Sequence, residues 1–227
     1  AEMQKERGVI IEEINMYEDT PNRHVQDLVM QLLYGDTPAG WNIAGEKKNI
    51  LAMKREDFVK YKGEHYLPEA TTIVVAGKVT EKNVLASVGK IFGHIPRGGK
   101  QPKIKVSEKQ AKPEALVKFK KTDQTHFVLA MRSFDLFNKN NPVLSVLSGV
   151  LGGGMSSRLF QKLREEMGVG YYVNAYNDVY TDHGFFQISA GVDNKRIHEV
   201  IKAVLAECKK LITEKVSEDE LNKVKQL

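Results

Sequence analysis

Residues 96–113 hold three prolines, two glycines and a run of lysines, a composition that neither a helix nor a strand tolerates for long. The segment reads as a linker. Helix-like and strand-like stretches alternate on both sides of it, so the chain is constrained to two α+β units rather than one continuous sheet. The expected division is residues 1–95, a linker at 96–113, and residues 114–227. In each unit, helices are expected to cover one face of a sheet.

Charge marks the same region. Residues 97–121 contain nine basic side chains (Arg97, Lys100, Lys103, Lys105, Lys109, Lys112, Lys118, Lys120 and Lys121) and two acids, Glu108 and Glu114. That is +7 within a chain whose total is +5, so the remainder carries −2. A basic run of this kind can bind nucleic acid. Here Phe119 is its single aromatic and no binding motif accompanies it. The run therefore reads as solvated linker, and no nucleic acid partner is expected. No apolar run approaches the roughly 18 residues of a membrane helix, so no membrane partner is expected either. Cys208 is the only cysteine, which rules out an internal disulfide. It shares a helical stripe with Ile197, Val200, Ile201, Val204 and Leu205, and reads as a small buried apolar residue. A single thiol is compatible with a cytoplasmic compartment.

The periodicities predict a helix over residues 2–16, then a second marked by Val25, Leu28, Val29, Leu32 and Leu33 and stopped by Gly35. A loop is expected at 35–49, a short helix at 55–65, and a buried β-branched strand at 71–76. Thr80 is placed to cap a helix that runs to Phe92. Beyond the linker, strands are expected at 115–120 and 125–132, and helices at 142–150 and 157–167. A hairpin follows, with arms at 171–180 and 185–191 and its turn at Thr181-Asp182-His183-Gly184. A long amphipathic helix spans 195–214. Ser217-Glu218-Asp219-Glu220 forms a capping box, and its helix is expected to run to Leu227 unfinished. The first helix opens without a capping residue. Both ends are therefore expected to be cuts in a longer protein.

Two motifs carry chemistry. In the first helix, Glu6, Val9, Ile10 and Glu13 share one face, so two carboxylates flank an apolar stripe. Buried carboxylates need a cation or a metal, whereas exposed ones need nothing. In the second, Leu151-Gly152-Gly153-Gly154-Met155-Ser156-Ser157-Arg158-Leu159-Phe160 joins two helices. Glycines opening a helix can cradle an anion. The P-loop and dinucleotide fingerprints are both absent, however, and a helix-to-helix turn is the simpler reading.

These stretches resemble the zinc metallopeptidases of the pitrilysin, insulinase and mitochondrial-processing-peptidase family. The run Glu6-Arg7-Gly8-Val9-Ile10-Ile11-Glu12-Glu13 is similar to the family's zinc helix, downstream of its His-x-x-Glu-His motif. The resemblance implies Glu13 as a zinc ligand with Glu6 behind it. The glycine stretch, continued through Leu163-Arg164-Glu165-Glu166-Met167-Gly168-Val169-Gly170-Tyr171, resembles the family's second domain. It implies that Arg164 and Tyr171 position the substrate carbonyl and stabilise the tetrahedral intermediate. Gln124-Thr125-His126 and His65-Tyr66-Leu67-Pro68 resemble the same family at pattern level.

The departure is the missing His-x-x-Glu-His. The histidines are His24, His65, His94, His126, His183 and His198, and Tyr61 stands where Glu64-His65 would need a first histidine. The remaining zinc ligands and the general base are therefore absent from this chain. The resemblance implies an α+β fold of two related α/β sandwich units, both truncated. Residues 1–95 would be the C-terminal part of the zinc domain, and residues 114–227 the N-terminal part of the substrate-holding domain. It implies a zinc endopeptidase acting on peptides or unfolded polypeptides held as an added strand, within a homo- or hetero-dimer. The chain alone is expected to be inactive and to bind no zinc. A non-catalytic scaffold subunit of the same family is the alternative. A plain α/β binding module would leave the helix acids unexplained.

Overall fold

The computed structural model describes residues 2–108 and 110–226. Lys109, one of the nine basic residues of the linker region, and Leu227 lie outside the described residues. The fold mixes helix and sheet. Its compact units are Ala1–Ile11 with Gly45–Ile104, and Glu12–Ala44 with Lys105–Leu227.

In the first unit, helix α1 (Glu2–Glu18) enters, and helices α3 (Lys47–Ala52), α4 (Arg55–His65) and α5 (Glu81–Phe92) follow. Thr80 caps α5 as expected, its hydroxyl accepting the Asn83 N–H at 3.4 Å. Helix α3 begins within the stretch expected to be loop, at 35–49, and runs past its end. The buried strand expected at 71–76 is not formed. A strand needs a hydrogen-bonded neighbour, and among the described residues this segment has none. Ile73, Val74 and Val75 remain 41%, 84% and 47% exposed. Ile50 and Leu67 are the unit's only buried apolar side chains among the described residues.

The second unit is built on a three-stranded antiparallel sheet of order β1-β3-β2, with β1 at Gln124–Ser133, β2 at Gly170–Val179 and β3 at Gly184–Asp193. The β2–β3 hairpin falls where the turn residues placed it. Strand alternation assigns the two faces. Phe186, Ile188, Ala190 and Val192 of β3 join Val173 and Ala175 of β2 in the main core. That core packs under helices α6 (Asn141–Gly152), α7 (Arg158–Phe160) and α8 (Ile197–Thr213). The opposite face is covered as well, which differs from the one-sided sheet expected. Helix α2 (Pro21–Tyr34) buries Val29, Leu33 and Tyr34 against Phe185, Val128 and Ala130. The stripe that marked α2 as amphipathic is the one that packs here.

Cys208 is partly buried against the main core, and burial pushes its thiol above the ordinary value. Leu205 of the same stripe stays exposed. The strand expected at 115–120 is absent. Lys118 and Lys120 instead reach His24 Nε2 at 2.9 Å and Asp19 at 2.8 Å, and Val117 and Phe119 face outward. Helix α9 (Glu218–Lys225) closes the unit, with Ser217 Oγ accepting the Glu220 N–H at 3.2 Å.

Candidate functional site

The glycine motif works by close packing. Helix α6 ends directly on β2, and a Cβ at Gly152 would overlap the Ala175 backbone nitrogen. Gly154 then turns the chain with φ +141°, a value that side chains resist. Gln161–Glu166, expected as ordinary α-helix, winds as a π-helix, and the Met167 N–H reaches the Lys162 carbonyl at 3.1 Å. Such π segments recur at functional sites because they re-aim side chains. Arg164 lies within this segment. Its Nη1 donates to the Gly170 carbonyl at 2.9 Å and lies 3.4 Å from the Tyr171 carbonyl. The guanidinium is thereby tethered to the start of β2, and the residue remains exposed.

Tyr171 occupies a special register position. Gly170 pairs with Val192, yet Tyr172 pairs with Gly191, so Tyr171 is one residue too many for its partner strand. In an unbroken strand Tyr171 would share the face of Val173 and Ala175 and enter the core. The β-bulge releases it, and its side chain is 57% exposed. In the sequence, Arg164 and Tyr171 are linked by the family resemblance alone. The structure brings both to one end of β2 by a π-helix and a bulge, neither of which periodicity reveals. Gly168, at φ +63°, and Gly170 were the available signals.

Next to the bulge, the Tyr172 hydroxyl and His126 Nδ1 lie 3.0 Å apart, and their rings stack at 5.8 Å with an interplanar angle of 26°. Burial lowers the His126 pKa and raises that of Tyr172, so both groups favour their neutral forms. In the sequence, His126 stands out only within the pattern-level resemblance of Gln124-Thr125-His126.

Helix α1 carries both glutamates. Glu6 lies in the first unit's part of the helix and Glu13 in the second's. Both are exposed. Glu6 lines a cavity of about 520 Å³ with Ile10, Ile50, Met53 and Phe58, and the neighbouring Arg7 donates to the Met53 carbonyl. Among the described residues, no three His, Cys, Asp or Glu side chains come together to hold a metal. A protein zinc site takes at least three such ligands, so the described residues do not by themselves fit the ion.

Residues 52–227 match the peptidase M16 inactive domain. The chain belongs to the peptidase M16 family. Its M16 relatives include YmxG of Bacillus subtilis, called an uncharacterized zinc protease, at 32% identity over 203 residues. That match covers 89% of this chain and 49% of YmxG. A Streptomyces coelicolor protein, also called a zinc protease, is 30% identical over 224 residues, covering 96% of this chain and 49% of its own. The chain thus spans about half the length of the M16 relatives it matches. Among solved structures, a Helicobacter pylori protease superposes with a TM-score of 0.86 at 23% identity, over 99% of this chain and 55% of that one. An M16 inactive domain from Pseudomonas fluorescens gives a TM-score of 0.83 at 19% identity, over 99% and 55%. These likenesses establish the fold.

Proposed function

We propose that this chain is part of a zinc-dependent endopeptidase, in which Arg164 and Tyr171 hold the carbonyl oxygen of a bound peptide. The observation that carries the reading is the exposed, bulged Tyr171 beside a guanidinium tied to the backbone of the same strand end, in a chain of the M16 family. An arginine keeps several N–H donors after giving one to the Gly170 carbonyl. A phenol adds an O–H donor. Donors fixed in advance stabilise the negative charge that develops on a carbonyl oxygen under attack, at no cost of reorganisation.

In this reading Glu13 is one ligand of a zinc ion whose other ligands come from a His-x-x-Glu-His segment, and Glu6 orients Glu13. Residues 1–95 belong to the zinc domain and residues 114–227 to the domain that holds the substrate, as in pitrilysin and the mitochondrial processing peptidases. The substrate class is an extended peptide or unfolded polypeptide, because backbone pairing tolerates many sequences. The working assembly is a homo- or hetero-dimer, and the chain alone is inactive.

The test is peptide cleavage by the longer protein that joins this chain to a His-x-x-Glu-His segment. Arg164→Ala and Tyr171→Phe each lower kcat by about a hundredfold, the usual cost of one oxyanion donor, with zinc content unchanged. Cleavage at the unmodified rate in either variant removes the assignment.

A further inference from the structure

The bulge raises a question of placement. The register of β2 from Tyr172 onward is set by the core, where Val173 and Ala175 sit against Leu151, Leu159 and Leu163. A one-residue slip of that stretch would turn these side chains out of the core. Val169 belongs to the same core, so the extra residue falls between it and Tyr172, at Gly170 or Tyr171.

Tyr172 decides this. It is the first residue back in register, and it stands in one row with Gly191 and His126 across the sheet. Its ring lies over Gly191, where a Cβ would overlap it, and so reaches across β3 to His126 on β1. The hydroxyl then meets His126 Nδ1 at 3.0 Å. A side chain on β2 is thereby fixed to β1, two strands away, on the face opposite the main core. With Tyr172 held on that face beside Gly191 and Gly170 paired with Val192, the supernumerary residue is Tyr171, and its ring stays outside the core.

We propose that His126, Gly191 and Tyr172 form a latch that fixes the β-bulge at Tyr171 and so aims the Tyr171 phenol, making His126 a positioning residue for the proposed peptidase site. The latch works with a neutral imidazole protonated on Nε2, which accepts the phenol O–H at Nδ1. Burial of both groups favours that state. Glycine at 191 is required for space rather than for backbone freedom, since residue 191 lies within the regular ladder. The catalytic consequence rests on the peptidase reading. The structural claim does not.

The experiment separates the two. The chain is labelled with 3-fluorotyrosine, and the Tyr171 fluorine resonance is assigned by its loss in Tyr171→Phe. In His126→Ala the Tyr171 resonance shifts and broadens, while those of Tyr34 and Tyr176 stay in place. His126→Gln, which keeps an acceptor, returns Tyr171 toward its original position. An unmoved Tyr171 resonance in His126→Ala overturns the latch. So does a common shift of all tyrosines in both variants, which would mean general loosening. In the longer zinc-bearing protein, His126→Ala lowers kcat by about tenfold, within the cost of a small misplacement of a catalytic group. In a Tyr171→Phe background it lowers kcat no further. If the fluorine shifts appear but Tyr171→Phe cleaves at the full rate, the peptidase role of Tyr171 is wrong and the latch stands.

Discussion

Arg164 Nη1 donates to the Gly170 carbonyl at 2.9 Å, the carbonyl immediately before the bulge that exposes Tyr171. One guanidinium therefore holds the strand end and keeps donors to spare. An ammonium is a compact point charge and cannot span both tasks from fixed positions. Arg164→Lys is expected to retain the positive charge yet lose most of the activity that Arg164→Ala loses. Cleavage kinetics on a protein that joins this chain to a His-x-x-Glu-His segment check this, and a lysine variant at the full rate would reduce the role of Arg164 to charge alone.

Gly152→Ala is expected to destabilise the second unit by about 1–3 kcal/mol, because its Cβ would enter the Ala175 backbone. Urea denaturation followed by circular dichroism measures it. Gly154→Ala is expected to be destabilising for a different reason, since φ +141° is strained for any side chain and there is open space around it.

Arg158 grips Glu220 through two hydrogen bonds of 2.7 Å, from Nε and Nη2, and so ties α7 to α9. Its hydrogen bonds hold the Glu220 carboxyl below the ordinary 4.5. A carboxyl depressed in the folded state contributes stability that is complete above its unfolded pKa and lost as pH falls through the folded one. The pair should therefore stabilise fully above about pH 4.5 and fade in acid. Arg158→Lys loses the paired geometry and should cost about 1 kcal/mol at pH 7. Its stability should also fall less steeply than the unmodified chain's below pH 4.5.

Burial lowers the His126 pKa from the ordinary 6.5, so the folded chain binds the proton less readily than the unfolded one. Its contribution is complete above about pH 6.5 and falls as pH drops below that value. His126→Gln should flatten the stability profile below pH 6.5 in thermal unfolding scans. An unchanged slope would mean that His126 does not titrate with folding.

Much of this was legible in the residues. The hairpin followed from its turn, the cap of α5 from Thr80, the packing of α2 from its apolar stripe, and the family from the glycine and glutamate motifs. The strand expected at 71–76 from its β-branched apolar run and the strand expected at 115–120 are both absent for one reason. Propensity describes a residue's fit to a pleated surface, whereas a strand exists only with a neighbour, and none is present among the described residues. The bulge escaped because periodicity assigns Tyr171 to the core face, and a single inserted residue reverses that assignment. The latch escaped because its parts lie far apart in sequence, at 126, 172 and 191.

In the proposed peptidase, this chain contributes Glu13 as its one zinc ligand, to a site completed by residues outside it. Metal content by mass spectrometry tests it most directly. The 227-residue chain, dialysed against micromolar zinc, should hold far less than one ion per molecule, since a lone carboxylate cannot compete with water. The longer protein carrying His-x-x-Glu-His should hold one, and Glu13→Gln should remove it. Stoichiometric zinc on the 227 residues, or zinc retained by the Glu13→Gln protein, would contradict the account.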